Sequence, residues 1–127
     1  MRLDHTGIAT EDADELAGLY VDLLDARVVH EESGGIHFVF VEVGDNYLEF
    51  LEPVDPESDI GQYVSEHGPG FHHLGFETED LPAAMDHARG LGVDLIDEEP
   101  REGAWGHDIA FLDPDSTGGV LVEFFQE

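Results

Sequence analysis

The sequence contains no cysteine and no lysine, and its only basic side chains are four arginines. The absence of cysteine excludes disulfide bonds and thiolate metal sites. Long apolar runs are also absent, so the sequence predicts neither a membrane span nor a signal peptide, and a cytoplasmic protein is expected. With 127 residues, of which 41% are hydrophobic, the chain is long enough to bury the core of one domain.

Acidic residues dominate the charge of the chain, with 31 aspartates and glutamates and a formal net charge of −27. They are spread along the sequence, which argues against an acidic tail, and such a chain would be repelled by nucleic-acid phosphates. Multimolar salt screens charges beyond a few ångströms and so relieves this self-repulsion. The composition therefore predicts adaptation to high salt and a halophilic, archaeon-like source.

An internal repeat organises the chain. Residues 3–10 read LDHTGIAT and are followed by Glu-Asp, and residues 71–80 read FHHLGFETED. A helical pattern follows each copy, and then come a short strand, a glycine-containing turn and two further strands. Each half therefore predicts a β-α-β-β-β module. The expected single domain consists of module one at about 1–53, a linker with a short helix at about 54–70, and module two at about 71–127.

Local signals place the helices and the strand that follows each of them. Asp12 and Asp80 are predicted N-caps, and Pro82 suits the first turn of the second helix. The strands after the helices are predicted at 26–32 and 93–99. The predicted apolar face comprises Leu16, Leu19, Tyr20 and Leu23 in the first helix and Leu81, Ala84, Met85, Ala88 and Leu91 in the second.

A duplicated βαβββ unit predicts an α+β fold, because each sheet needs a cover for its apolar face. Two such modules can pair into a curved eight-stranded cup with helices outside. The concave side of the cup is the natural place for a ligand, since equivalent strands of both halves converge there.

Strand alternation assigns the histidines of the repeat to opposite faces. His5 and His73 occupy equivalent positions, and we expect both to point into the cup. His72 aligns with Asp4, which we place outside. Two adjacent histidines on one strand cannot both enter one site, so His73 is the predicted ligand of the pair.

Two glutamates also occupy equivalent places, in the last strand of each module. Glu49 and Glu123 each lie between apolar neighbours, where a carboxylate is costly to bury unless it is paired or bound to a metal. His5, Glu49, His73 and Glu123 together form a nitrogen and oxygen donor set for a divalent metal ion. The alternative is that the histidines are structural and that the glutamates simply face solvent.

The other histidines have weaker claims to a function. His30, His67 and His87 are expected at the surface. His37 and His107 each follow a glycine-rich turn and begin a strand that could line the cup, although either could also cap an exposed strand end.

Five longer segments carry a resemblance, and they read LDHTGIAT, VGDNYLEFLEPVDPESDI, GPGFHHLGFETED, LIDEEPREGA and FLDPDSTGGVLVEF. Together they resemble the methylmalonyl-CoA epimerase family of the vicinal oxygen chelate superfamily, which is glyoxalase-like and includes bleomycin-resistance proteins. The His-x-Gly element alone marks only the superfamily. The LEP-x-DP-x-S, EEPR-x-G and STGGVLVE elements are more specific to the epimerases, and the likeness spans the whole chain.

The resemblance implies an isomerase that interconverts (R)- and (S)-methylmalonyl-CoA by removing the C2 proton. Removal places charge on the thioester oxygen as an enolate, which a divalent metal can stabilise. Co²⁺ is the first expectation for that metal, with Mn²⁺, Ni²⁺ or Zn²⁺ as alternatives. The family's ligands fall on His5, Glu49, His73 and Glu123.

The resemblance also implies two acid/base groups, because epimerisation exchanges a proton on both faces of C2. Glu123 is the first. The second is a glutamate in a Gly-x-x-Glu setting in bacterial members, and in the register Gly34-Gly35-Ile36-His37 it is replaced by His37, which could still shuttle a proton near neutral pH.

The departures from the family pattern concern basic residues. A His-Pro-Lys stretch of many epimerases is Asp113-Pro114-Asp115 here, which leaves open how the CoA phosphates are held. A glyoxalase-type lyase or isomerase acting on a thiol adduct, and a non-catalytic small-molecule-binding protein of the same fold, are the alternatives to an epimerase. The expected partners are an acyl-CoA thioester and a second copy of the chain in a homodimer, with no nucleic acid or membrane.

Overall fold

The computed structural model describes all residues from 1 to 127 and contains the β-α-β-β-β order twice. The first copy comprises β1 (Arg2–Ala9), α1 (Ala13–Leu24), β2 (Arg27–Glu32), β3 (Ile36–Val43) and β4 (Asn46–Pro53). α2 (Asp59–His67) follows, as predicted for the linker. The second copy comprises β5 (Gly70–Glu77), α3 (Leu81–Gly90), β6 (Arg101–Glu102), β7 (Asp108–Leu112) and β8 (Val122–Gln126).

The strands of the first copy follow the order β2-β3-β4-β1, and those of the second follow the order β5-β8-β7-β6. By compactness the chain divides into two units, residues 5–72 and residues 1–4 with 73–127. None of the helices has the length and apolar character that a membrane crossing requires.

In the unit of residues 5–72, each face of the sheet packs against a different helix. β3 pairs antiparallel with β4, and β1 pairs parallel with β4. The face covered by α1 holds the core cluster of Ala13, Ala17, Val39, Val41 and Phe50. The opposite face packs against α2 through Ala9, Leu51 and Ile60.

Both helix N-caps are confirmed. The Asp12 carboxylate accepts a hydrogen bond from the Glu15 amide at 3.0 Å, and the Asp80 carboxylate accepts one from the Ala83 amide at 3.1 Å. Each cap satisfies an amide that has no partner inside the helix.

The predicted apolar face of α1 was wrong in part. Leu19 and Leu23 are 57% and 67% exposed, whereas Ala13 and Ala17 are buried. The small alanines let the helix backbone lie close to the sheet, so the buried stripe runs through them, and Leu16 and Tyr20 pack beside it. The leucine spacing matches helical periodicity equally well but lies on the outer side.

In the second unit, β8 lies between β5 and β7, parallel to the former and antiparallel to the latter. Leu81 and Met85 of α3 pack against Ala110 of β7, as the predicted helix face requires. Leu91, which was assigned to that face, is 70% exposed because it lies beyond the last turn of the helix.

The strand predicted at 93–99 is absent, and only β6 follows α3 before β7. An isolated bridge joins Leu95 to Leu112. At the next contact the Asp97 carboxylate accepts the Phe111 amide hydrogen bond at 2.8 Å. A side chain thus takes the place of a backbone carbonyl, and the regular ladder cannot continue.

We expect the stability of this fold to rise with salt. Between 0.1 M and about 3 M KCl the screening length falls from about 10 Å to 3 Å or less, which weakens the self-repulsion of the acidic surface. The midpoint of thermal unfolding, followed by circular dichroism, should therefore increase over this range. An equal molarity of sucrose controls for osmotic effects, and a midpoint that KCl leaves unchanged would contradict adaptation to high salt.

Candidate metal centre

His5 and Glu49 lie side by side on adjacent strands. Gly7 of β1 pairs with Glu49 of β4, and His5, two residues earlier, points to the same face. Both side chains are buried, and His5 Nε2 lies 3.6 Å from Glu49 Oε1. The first module therefore holds one imidazole and one carboxylate side by side in a buried position.

His73 and Glu123 repeat this arrangement in the second module. Gly75 of β5 pairs with Glu123 of β8, which again puts the histidine two residues earlier on the same face. His73 Nε2 lies 3.9 Å from Glu123 Oε2, and both residues are buried. The His73 ring meets the Phe111 ring edge-on, with the two centroids 5.7 Å apart.

Each unit buries one predicted imidazole ligand against one predicted carboxylate ligand. His5 adjoins Glu49 in the first unit, and His73 adjoins Glu123 in the second. Donor atoms about 2.0–2.2 Å from one shared ion lie about 3–4 Å apart, which matches the two histidine–carboxylate separations. The imidazole and carboxylate donors fit a divalent cation such as Co²⁺, Mn²⁺, Ni²⁺ or Zn²⁺.

The adjacent histidines are separated by strand alternation. His72 is half-buried, and its ring packs edge-on against Tyr63 of α2 with a centroid distance of 4.6 Å. Its counterpart Asp4 is buried and accepts a hydrogen bond from Arg2 at 2.8 Å. His72 thus has a packing environment of its own, and His73 is the member of the pair that adjoins Glu123.

His37 does not lie with the other predicted site residues, so its predicted acid/base role needs correction. It shares a face with Val39 and Val41, which pack under α1, whereas Glu49 pairs with Phe40 and lies on the opposite face. The glycine-rich turn does not fix which residue of β3 faces which side. Phe38, next to His37, therefore lies on the face that carries Glu49.

A hydrogen bond to a residue of α1 explains the position of the His37 side chain. Its Nε2 lies 2.9 Å from Asp14 Oδ1, and this hydrogen bond is the main cause that raises the pKa of His37. Its Nδ1 lies near the Ser33 hydroxyl and the Glu32 carbonyl oxygen. His37 therefore ties the start of β3 to the helix.

An aromatic ring lies beside each glutamate, a feature that the repeat pattern did not predict. Phe40 is the cross-strand neighbour of Glu49, and Phe111 is that of Glu123. Each ring carries a basic side chain from the outer strand. The His30 ring centroid lies 5.8 Å from that of Phe40, and the Arg101 guanidinium carbon lies 5.6 Å from that of Phe111. Arg101 lies outside the strand predicted at 93–99, so the repeat pattern did not reveal this second equivalence.

His30 is accordingly half-buried, not at the surface as expected, whereas His67 and His87 are exposed. His107 stacks between two aromatic rings, with centroid distances of 6.0 Å to Trp105 and 5.4 Å to Phe125. It is an aromatic packing residue and not an exposed strand cap.

Comparisons with known proteins agree with this architecture. The family model described as Glyoxalase/Bleomycin resistance protein/Dioxygenase superfamily matches residues 4–111. The human mitochondrial methylmalonyl-CoA epimerase is 33% identical over 129 residues, covering 98% of this chain and 73% of the relative.

Solved structures share the whole fold. A hypothetical protein from Bacillus halodurans superposes with a TM-score of 0.95 at 33% identity, covering 99% of this chain and 94% of the other. A variant of Streptomyces coelicolor methylmalonyl-CoA epimerase in complex with 2-nitronate-propionyl-CoA superposes with a TM-score of 0.94 at 33% identity, covering 100% and 94%. The predicted glyoxalase-like fold class is confirmed. The chain belongs to the glyoxalase/bleomycin resistance protein/dioxygenase superfamily and, within it, to the family of the methylmalonyl-CoA epimerases.

Proposed function

We propose that this protein is an isomerase that interconverts the C2 epimers of methylmalonyl-CoA in a metal-dependent reaction. The observation that carries the proposal is the buried histidine–glutamate pair that recurs in each unit, His5 with Glu49 and His73 with Glu123. Relatives that share this fold over nearly the full chain are methylmalonyl-CoA epimerases, and one of them holds a CoA thioester analogue.

The four side chains would hold one divalent cation. When bound, the cation supplies a positive charge that stabilises the negative charge which develops on the thioester oxygen as C2 loses its proton. The protein contributes burial, since the low dielectric strengthens every charge interaction at the site. It also contributes rigidity, because all four ligands stand on paired strands of a sheet.

Glu123 is the side chain that we assign to proton transfer at C2. Its carboxylate is buried on the face of β8 that also carries Phe125, next to the Phe111 ring. Glu123 would take the proton from one face of C2, and epimerisation would be completed when a proton derived from solvent is delivered to the opposite face. His37 lies on the face of β3 opposite to Phe40, the cross-strand partner of Glu49, and we assign it no part in this step.

The first prediction concerns the reaction. Incubation with (S)-methylmalonyl-CoA in deuterated buffer of high salt should exchange the C2 proton for deuterium, as followed by mass spectrometry. Treatment with a chelator should abolish the exchange, and addition of Co²⁺, Mn²⁺, Ni²⁺ or Zn²⁺ should restore it.

The matched control is Glu123→Gln, which preserves shape but cannot accept a proton as a carboxylate does. We expect it to lose exchange by about 100-fold or more, the usual range for removing an acid/base group. Binding of the thioester without exchange under every metal condition would identify a binding protein instead of an enzyme. Exchange that persists in the chelated protein would refute metal dependence.

The second prediction separates the two adjacent histidines. His73→Ala should lower Co²⁺ affinity, measured by titration calorimetry, by more than the about 10–100-fold that loss of an outer hydrogen-bond partner typically causes. His72→Ala should retain most of the affinity because its ring packs against Tyr63. Equal losses in both variants, or a larger loss for His72→Ala, would overturn the ligand assignment.

A further inference from the structure

Arg101 lies on the same face of its unit as the candidate metal ligands. It pairs with Ile109 of β7, and the β7–β8 register aligns Ile109 with Phe125 and Phe111 with Glu123. Paired residues share a face, so Arg101 and Glu123 lie on one side. α3 covers the opposite side, through Ala110.

Phe111 separates the guanidinium from the ligands. The Arg101 guanidinium carbon lies 5.6 Å from the Phe111 ring centroid, and the His73 ring lies 5.7 Å from the same centroid. A cation at this distance from an aromatic face is attracted to it, which holds the guanidinium in place. Arg101 is therefore one aromatic ring away from His73.

The hydrogen bonding of Arg101 leaves its two terminal amino groups available to bind another group. Its Nε donates to Asp97 Oδ1 at 2.8 Å, and Asp97 is fixed in turn by the Phe111 amide. Both terminal amino groups of Arg101 make no hydrogen bond within the protein, and the side chain is 54% exposed. A guanidinium anchored through Nε presents its two amino groups in the planar geometry that suits a carboxylate or a phosphate.

The other three arginines engage terminal amino groups within the protein. Arg2 bonds to Asp4 and Glu77, Arg27 to Glu42, and Arg89 to Asp86 and the Glu98 carbonyl. A chain with a net charge of −27 offers no diffuse attraction to an anion. At 1 M salt the screening length is only about 3 Å, so an anion must be held by direct contact.

We propose that Arg101 is an anion-binding residue for the acyl-CoA, contacting a phosphate of the CoA or the free carboxylate of the acyl group through its terminal amino groups. This rests on the proposed function, since it takes the substrate to be an acyl-CoA that approaches Glu123. It identifies a binding group for the substrate in a chain without lysine.

The test is the affinity of metal-loaded wild-type protein and Arg101→Met for methylmalonyl-CoA, measured by calorimetry in high salt. Loss of a charged hydrogen-bond pair should weaken binding by about tenfold or more. In turnover assays KM should rise by a similar factor with kcat nearly unchanged, because Arg101 does not reach the reacting carbon. Arg89→Met removes the same charge from α3 and should bind as wild type.

Two further ligands distinguish the anions. Methylmalonyl-pantetheine lacks the CoA phosphates, and propionyl-CoA lacks the acyl carboxylate. If a phosphate is the partner, the effect of Arg101→Met disappears with the pantetheine thioester. If the carboxylate is the partner, the effect disappears with propionyl-CoA. Either result supports the proposal.

Equal affinity of wild type and Arg101→Met for methylmalonyl-CoA would overturn it. So would weak binding that accompanies a lower melting temperature and that Arg101→Lys, which keeps the positive charge, does not partly restore. If wild type itself binds no acyl-CoA, the proposed function fails with it. If wild type binds and turns over but Arg101→Met matches it, only the role of Arg101 is refuted.

Discussion

The burial of a few carboxylates in a strongly acidic chain is the constraint on which the rest of this structure depends. Of 31 acidic side chains, only Asp4, Glu49 and Glu123 are buried. Burial of an ionised carboxylate costs several kcal/mol unless an opposite charge or a metal compensates it. Asp4 has an ion pair with Arg2, whereas Glu49 and Glu123 each lie against a histidine. The cation of the proposed function would offset this cost at both glutamates.

The internal repeat explains how such pairs are built from strands. Each module places a histidine on its first strand and a glutamate on its last, and a glycine is the cross-strand partner of the glutamate. A phenylalanine then separates the glutamate from a basic group on the outer strand. The modules differ in that outer group, with an imidazole in the first and a guanidinium in the second. The repeated geometry supplies a histidine and a glutamate in each module. The basic group on the outer strand is what distinguishes the two modules.

Much of the site could be predicted because strand periodicity is short-range. Whether His72 or His73 shares a face with Glu123 follows from counting by two along β5 once the repeat fixes the register. The same reasoning failed for His37, because a glycine-rich turn does not fix where the following strand starts, and a shift of one residue exchanges its faces. The prediction of which face of α1 is buried failed for a different reason. Leucines and alanines both fit a helical period, and only the distance between helix and sheet selects the small residues.

The sequence by itself determined the duplicated module order, the helix caps and the four His/Glu candidates, since these depend on local periodicity and on comparison of one half of the chain with the other. The tertiary structure determined what no local pattern contains: that the Asp97 carboxylate accepts the Phe111 amide hydrogen bond, that His37 of β3 pairs with Asp14 of α1, and that Arg101 lies over Phe111 with its terminal amino groups not hydrogen-bonded within the protein. These features join residues that are distant in sequence or lie in irregular segments, where the positions of side chains are set by packing and hydrogen bonding between elements and not by the period of any one element.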